Sequence, residues 1–439
     1  MLRQKINIIL FATVMVAFLT TNLFATNGYF RHGYGIKYSA LAGSGVAVSL
    51  SSLGAISNPA GIVFIGNDRY DINISYFSPS REYTVTGNPS PPPAFGLAPG
   101  TIESDNSSFF FPTLGANWNL NPTMAIGVVV YGNGGMNTDY PTATFHDPSS
   151  GVTGVNLEQL FVGATYAIEV TKGHSLAVQG LFGYQKFSAT GLASFAPFSS
   201  DPANLTGNAN STATGFGFKV GYQGMIGKMI RIGGAYQSKI NMSEFDRYAG
   251  LFAEKGDFDV PANWQAGIAV IPADALTLLF DVQQILYSGV KSVANPMDAM
   301  ALPPAFPDGM GGFVPNPNHV PLGADNGSGF GWEDMTIYKF GIMYILPDAW
   351  TLYGGFSYGK QPIPSTEVLF NILAPATVET HITLGFSKYI NKSNEIMVSF
   401  MYAPEKGVSG TNQFDPAQTI EIRMSQFQLE IGYAFSVVQ

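Results

Sequence analysis

Strict alternation of apolar and polar residues constrains this chain more than any other feature. In Phe216–Gln223 the apolar set is Phe216, Phe218, Val220 and Tyr222, with Gly217, Lys219, Gly221 and Gln223 between them. In His381–Ser387, Ile382, Leu384 and Phe386 alternate with His381, Thr383, Gly385 and Ser387. In Phe427–Phe435, Phe427, Leu429, Ile431, Tyr433 and Phe435 alternate with Gln428, Glu430, Gly432 and Ala434. A period of two places each set on one face of a strand. The second face is largely Gly, Ser, Thr and Gln, whereas a soluble sandwich would carry charge there.

Such segments are expected near 68–84, 106–119, 122–137, 153–169, 174–190, 209–227, 228–245, 258–271, 275–290, 332–346, 349–361, 377–390, 394–403 and 420–437. Their connections alternate short and long. The short ones are Asn119–Pro122, Glu169–His174, Ile271–Ala275, Leu346–Trp350 and Asn391–Glu395; the long ones are rich in Pro, Gly, Asn and Ser. An outer-membrane barrel has tight turns on the periplasmic rim and long loops outside. The expected fold is therefore all-β, a transmembrane antiparallel barrel of about fourteen strands over residues 67–439. Trp118, Trp350 and Tyr389 lie beside short turns, where an interfacial girdle belongs.

Composition supports this reading. Charged residues make up 12% of the 439, about half the share of a soluble domain, while apolar residues reach 46%. After residue 25 no segment is long and apolar enough for a spanning helix. A net charge of −9 gives no electrostatic support to a nucleic-acid partner. The absence of cysteine removes disulfides, thiolate metal sites and Cys nucleophiles. No metal or other cofactor is expected. Among the five histidines no His-x-x-x-His spacing occurs, and no Gly-x-Ser-x-Gly motif is present, so the chain does not read as an enzyme.

Two segments precede the first strand. Residues 1–25 read as a signal peptide, with Arg3 and Lys5, the apolar run Ile8–Leu19 and Ala25 for cleavage. Residues 26–66 do not alternate; Ala40–Ala55 is almost entirely Ala, Gly, Ser, Leu and Val, and Ser57-Asn58-Pro59-Ala60-Gly61 is a turn signal. A fourteen-stranded wall leaves a lumen its own side chains cannot fill. The small-residue segment is expected to fold into it as a hatch.

The long loops carry apolar clusters that suit capture of a hydrophobic ligand. Leu192, Phe195 and Phe198 follow the fifth strand; Tyr248, Leu251 and Phe252 follow the seventh. Met297, Met300, Leu302, Phe306, Met310 and Phe313 lie in the loop 290–331. Each buried CH2 contributes about 0.8 kcal/mol, so apolar contact alone can hold a chain of a dozen carbons. A carboxylate cargo would need a cation, for which Lys186, Lys219, Lys360 and His381 are candidates.

Four stretches together resemble the FadL/TodX family of outer-membrane transport proteins for long-chain fatty acids and hydrophobic compounds. They are Ala42–Gly45 through Asn58–Gly61; Val260–Trp264 through Leu276–Leu278 to Asp281–Gln283; Trp332–Asp334 with Tyr338, Gly341 and Tyr344; and Trp350–Leu352 with Gly355, Tyr358 and Pro362–Pro364. The resemblance implies passive uptake: capture at an external apolar groove, an inner pocket, and sideways exit at a kink in the third strand. It implies that Asn58, Pro59 and Ala60 of the hatch lie near that kink. Gly127 and Gly132 are the candidates for the break, because Gly within a strand marks bulges. The expected partners are a hydrophobic small molecule, outer-membrane lipids and lipopolysaccharide, with the protein a monomer. A general porin, or an outer-membrane lipid hydrolase, is the alternative. A porin would carry charge clusters at a constriction and no Gly/Ala hatch.

Overall fold

The computed structural model describes residues 27–437. The segment read as a signal peptide lies outside these residues. Fourteen long strands form one antiparallel sheet: β1 (Asp68–Thr86), β2 (Phe109–Asn121), β3 (Met124–Tyr140), β4 (Thr153–Thr171), β5 (His174–Thr190), β6 (Ser211–Ile226), β7 (Ile230–Gln237), β8 (Asn263–Ala273), β9 (Leu276–Ile285), β10 (Met335–Ile345), β11 (Trp350–Gly359), β12 (Thr380–Tyr389), β13 (Asn394–Asn412) and β14 (Asp415–Val437). Each pairs with its sequence neighbour, and β14 returns to β1 from Asp68↔Val437 to Thr86↔Thr419. The sheet thus closes on itself.

The alternation resolves into an apolar outside and a polar inside. On β12, Ile382 and Leu384 are 49% and 63% exposed, whereas His381 and Thr383 are buried. On β14, Phe427, Leu429, Ile431 and Tyr433 are exposed and Gln426, Gln428 and Glu430 are buried. A surface of exposed Ile, Leu, Phe and Tyr in register around a closed barrel is what lipid solvates. The aromatic residues beside the short turns find polar partners there. The Trp118 indole N–H donates to the Tyr70 hydroxyl (2.9 Å), and the Lys388 ammonium lies 4.5 Å from the Trp350 ring centroid.

The short turns are those read from the sequence, plus Gly227–Met229 between β6 and β7. Two expected segments differ. The seventh strand ends at Gln237, not Phe245; Asn241–Met242 folds back onto β6 and Asp246–Tyr248 forms a 3-10 turn. The last hairpin carries no long loop, since β13 and β14 continue to a turn at Gln413–Phe414. A bulge between Ala403 and Lys406 takes in Pro404, which has no N–H for the ladder, and the pairing then resumes.

Residues 27–66 fill the lumen. They contain the helical turn Ile36–Ser39 and the 3-10 segments Ser52–Ile56 and Pro59–Ile65, and almost all their side chains are buried. Inward glycines let the two backbones meet: a Cβ at Gly233 would stand 2.2 Å from the Val46 carbonyl oxygen, and one at Gly355 2.3 Å from the Leu41 carbonyl carbon.

Candidate functional site: hatch, wall break and apolar chambers

Charge fixes the hatch to the wall. The Arg31 guanidinium pairs with Glu430 on β14 at 2.5 Å and donates to Ser75 on β1 and Thr113 on β2. Lys37 pairs with Glu395 on β13 (2.7 Å), which also takes Arg69 of β1 (2.8 Å). In the other direction the Asp281 carboxylate of β9 accepts from the Gly45 and Val46 amides (2.7 and 2.9 Å), and Asp71 of β1 accepts from the Ser52 amide and hydroxyl. These buried charges are matched partner to partner, which makes the seating of the hatch specific.

Asn58 caps the second 3-10 segment, its side-chain oxygen accepting from the Ala60 amide (3.1 Å). Its amide nitrogen donates to the carbonyls of Val46 (2.7 Å) and Tyr222 on β6 (2.8 Å). The Ala60 carbonyl accepts from Ser175 on β5 (2.8 Å), and Pro59 packs where Gly221 of β6 has no side chain. The Asn58–Ala60 element is thus bound to β5 and β6 near the short turns, rather than at the break in β3.

That break lies at Asn133. The β2–β3 ladder runs from Asn121↔Met124 to Thr113↔Tyr131 and stops. Above it Phe109–Pro112 pair only with β1, while β3 continues along β4 after a register shift between Gly132 and Gly134. Asn133 is the extra residue, and Gly134 has φ +155, a backbone open to glycine. The wall is unpaired between the upper halves of β2 and β3. Of the two glycines read from sequence, Gly132 borders the break. Gly127 does not: it is paired on both sides, with Asn117 and Thr165, and its missing Cβ gives room to Ile62 of the hatch. The hatch meets the break through Arg31 and Tyr34. The Arg31 amide donates to the Asn133 carbonyl (3.1 Å), and the Tyr34 hydroxyl donates to the Asn133 side-chain oxygen (2.6 Å).

Three apolar spaces lie above and behind the break. An outer groove is walled by Phe95, Phe198, Met300, Leu302, Phe306 and Phe313. An inner pocket is lined by Phe187, Leu192, Leu251, Phe252, Phe330 and Phe370. Phe195 belongs to both. A third chamber, between Phe77, Met136, Trp332 and Met424, has the buried Arg81 in its lining and touches Gly135–Asn137 just above the break. Leu373 lines the inner pocket and Ala374 this chamber, so neighbouring residues of one loop face both.

The six aromatic and leucine candidates therefore separate. Leu192, Leu251 and Phe252 face the inner pocket and Phe198 the outer groove. Tyr248 is not a groove residue: it is fully buried, its ring edge-on to Phe187 at 4.8 Å and its hydroxyl donating to the Asn208 carbonyl. The loop 360–379 supplies Phe370 and Leu373–Ala376 to these spaces, residues outside the loop clusters read from the sequence.

The cation candidates separate as well. Lys186 is paired with Glu158 (2.9 Å), and Lys360, largely exposed, is 3.8 Å from Glu333. His381 faces inward beside Ser357 (3.1 Å), its ring stacked on His32 at 5.5 Å. Lys219 is buried and donates to the Ile56 carbonyl of the hatch. Lys339, unmentioned in the sequence reading, is its counterpart on β10, donating to the His32 carbonyl (3.1 Å). Its signal was available: Tyr338 and Phe340 point out, so Lys339 points in.

A lipid-faced barrel, closed by its own strands, plugged by its N-terminal segment and broken at one place in the wall, defines an outer-membrane channel without an open aqueous pore. A family model described as outer membrane protein transport protein (OMPP1/FadL/TodX) matches residues 31–431. The chain belongs to this family of outer-membrane transport proteins, and it is not an enzyme. Among solved structures it is similar to the Pseudomonas putida toluene transporter TodX, with 16% identity, TM-score 0.66, and coverage of 93% of this chain and 99% of that one. It is similar to the Ralstonia pickettii toluene transporter TbuX (18%, TM-score 0.62, 93% and 99%) and to a Pseudomonas aeruginosa FadL homologue (15%, TM-score 0.65, 93% and 99%). No curated protein matches it in sequence.

Proposed function

We propose that this protein carries neutral or weakly polar hydrophobic molecules passively through the outer membrane, by the groove, the inner pocket and the break beside β3. The observation that carries the reading is the sequence of apolar spaces ending at an unpaired stretch of wall while the hatch fills the axial route. Ligand enters the groove, passes Phe195, and is desolvated among Phe187, Phe252, Phe330 and Phe370. It then reaches the chamber behind Met136 and leaves between β2 and β3 into lipid. Hydrophobic burial supplies the affinity, and the concentration gradient supplies the direction.

Monoaromatic or aliphatic hydrocarbons suit the inner pocket better than fatty acids, because among the described residues its polar side chains are Ser292 and Ser328, and the cation further along the route, Arg81 of the third chamber, already donates to the Asn137 and Asn106 carbonyls. Two of the similar structures are described as toluene transporters. Residues 1–25 are taken to be removed on export and the barrel to work as a monomer among outer-membrane lipids and lipopolysaccharide; intact mass and light scattering check the two points.

Replacing Leu192 by Trp is expected to fill the inner pocket and lower binding of radiolabelled toluene by about tenfold, with the barrel intact. Unchanged binding would take the pocket off the route. Bulky residues in place of Asn58 and Ala60 are expected to reduce tracer uptake several-fold, since both are packed against β5 and β6 and any expansion displaces the hatch. Normal uptake by such a folded variant would remove the Asn58–Ala60 seat from the mechanism. A steady ion conductance of the wild type in planar bilayers would favour a general porin.

A further inference from the structure

Between the hatch and the wall lies a further cavity, reaching from Tyr131 and Asn133 of β3 to a polar side formed by β6–β10. Lys219, Gln237 and Asn263 stand in one cross-strand row, Lys219 opposite Gln237 and Gln237 opposite Asn263. All three face inward and line the cavity, with Lys339 and Gln283 beside them and His32 above. The space takes an occupant of water size.

Its lining offers orphaned donors beside one orphaned acceptor, the Gln283 side-chain oxygen. The side-chain nitrogens of Gln237 and Asn263 are buried without a partner, and each residue is more than nine-tenths buried. Among the described residues neither Lys219 nor Lys339 forms an ion pair; both donate to carbonyl oxygens of the hatch, at Ile56, His32 and Gly43. His32 is held neutral, because burial and then the charges of Arg31 and Lys339 lower its pKa to about 3. The carboxylate opposite Lys339 in the β9–β10 register is Asp281, whose Oδ2 accepts from Gly45, Val46 and Gln265. One carboxylate stands against two buried lysines, so the second lysine either gives up its proton or is matched by an occupant of the cavity. A small anion holds it charged and accepts from the orphaned amides at the same time.

We propose that this cavity is a resident site for one small monovalent anion of halide size, held by Lys219, Lys339, Gln237 and Asn263, which completes the seating of the hatch. The bound anion touches the wall through the amides and, through the two lysines, neutralises the charge that the hatch carbonyls only partly offset.

The test uses the full-length protein prepared in sodium gluconate. Crystals soaked in sodium bromide are expected to show an anomalous peak in hydrogen-bond reach of Lys219 Nζ and the Asn263 amide. In solution, bromide is expected to raise Tm saturably by about 2–4 °C over gluconate at equal ionic strength. The Lys219→Met/Lys339→Met double variant is expected to lose both the peak and the halide dependence. A water without anomalous signal in the wild-type crystals would overturn the proposal, and so would a bromide peak or a Tm response that survives in the double variant. If the double variant does not fold, the wild-type anomalous map alone decides.

Discussion

Deleting Asn133 is expected to cut uptake of a hydrophobic tracer by about tenfold or more while leaving a folded, heat-modifiable barrel. The expectation follows from register. Tyr131 pairs with Phe161 and Gly132 with Leu160, and the next pairing is Gly134 with Gln159. Asn133 is the one residue without a place on β4. Without it β3 alternates in step along its length, and residues above the break come into position to continue the ladder with Phe109–Pro112 of β2. The deletion also removes the carbonyl and side-chain acceptors of Arg31 and Tyr34. Closing the wall blocks a lateral route, whereas loosening the hatch opens an axial one. Lost uptake without new ion conductance would therefore point to the wall. Uptake at the wild-type rate would show that the break is a packing feature only.

Replacing Arg31 by Met is expected to cost about 3–5 kcal/mol of stability, because it leaves Glu430 buried without a counter-charge. Arg31 bonds β1, β2 and β14 through its side chain and β3 through its backbone, so its loss also frees the hatch on the side of the break. Ion conductance, which the plugged wild type is expected to lack, is expected to appear. Adding Glu430→Gln removes the orphaned charge and is expected to recover most of the stability but not the silence of the channel. Denaturant titration of the detergent-solubilised proteins and planar-bilayer recording read the two effects separately. A stability change within about 0.5 kcal/mol for Arg31→Met would mean that water reaches Glu430 and that the hatch is held elsewhere.

What the sequence could disclose follows from what period two encodes. Alternation in segments such as Phe427–Phe435 states which face is buried, so the strands, the closed barrel and the inward placement of Lys219 and His381 were all legible. The break was not. A bulge is a relation between two strands, and nothing within Gly127 or Gly132 says which of them lacks a partner on β2. The apolar chambers were half legible for a similar reason. Leu192, Phe195, Leu251 and Phe252 are conspicuous as greasy residues in loops, but their burial depends on Phe330, Phe370 and Leu373 arriving from loops far along the chain. Tyr248 shares their composition and lies behind Phe187 instead. The hatch anchors depend on matching Arg31 with Glu430 across 399 positions of sequence, which one chain alone does not reveal. The outer part of the last hairpin, beyond Ala403 and before Ile420, was not legible because Gly407, Ser409 and Gly410 interrupt the pattern, although Val408, Ile420 and Ile422 keep the buried face going.

Lateral exit is the central claim, and photolabelling tests it most directly. A diazirine-bearing alkane, loaded on the protein in outer-membrane vesicles and irradiated during uptake, should mark residues at the break. Met136, Phe109 and Phe111 on the inner side and Phe110 on the lipid side are the expected sites. Label on Phe64 and Ile65, at the end of the hatch, with none on β2 or the upper half of β3, would contradict the account and place the exit along the barrel axis.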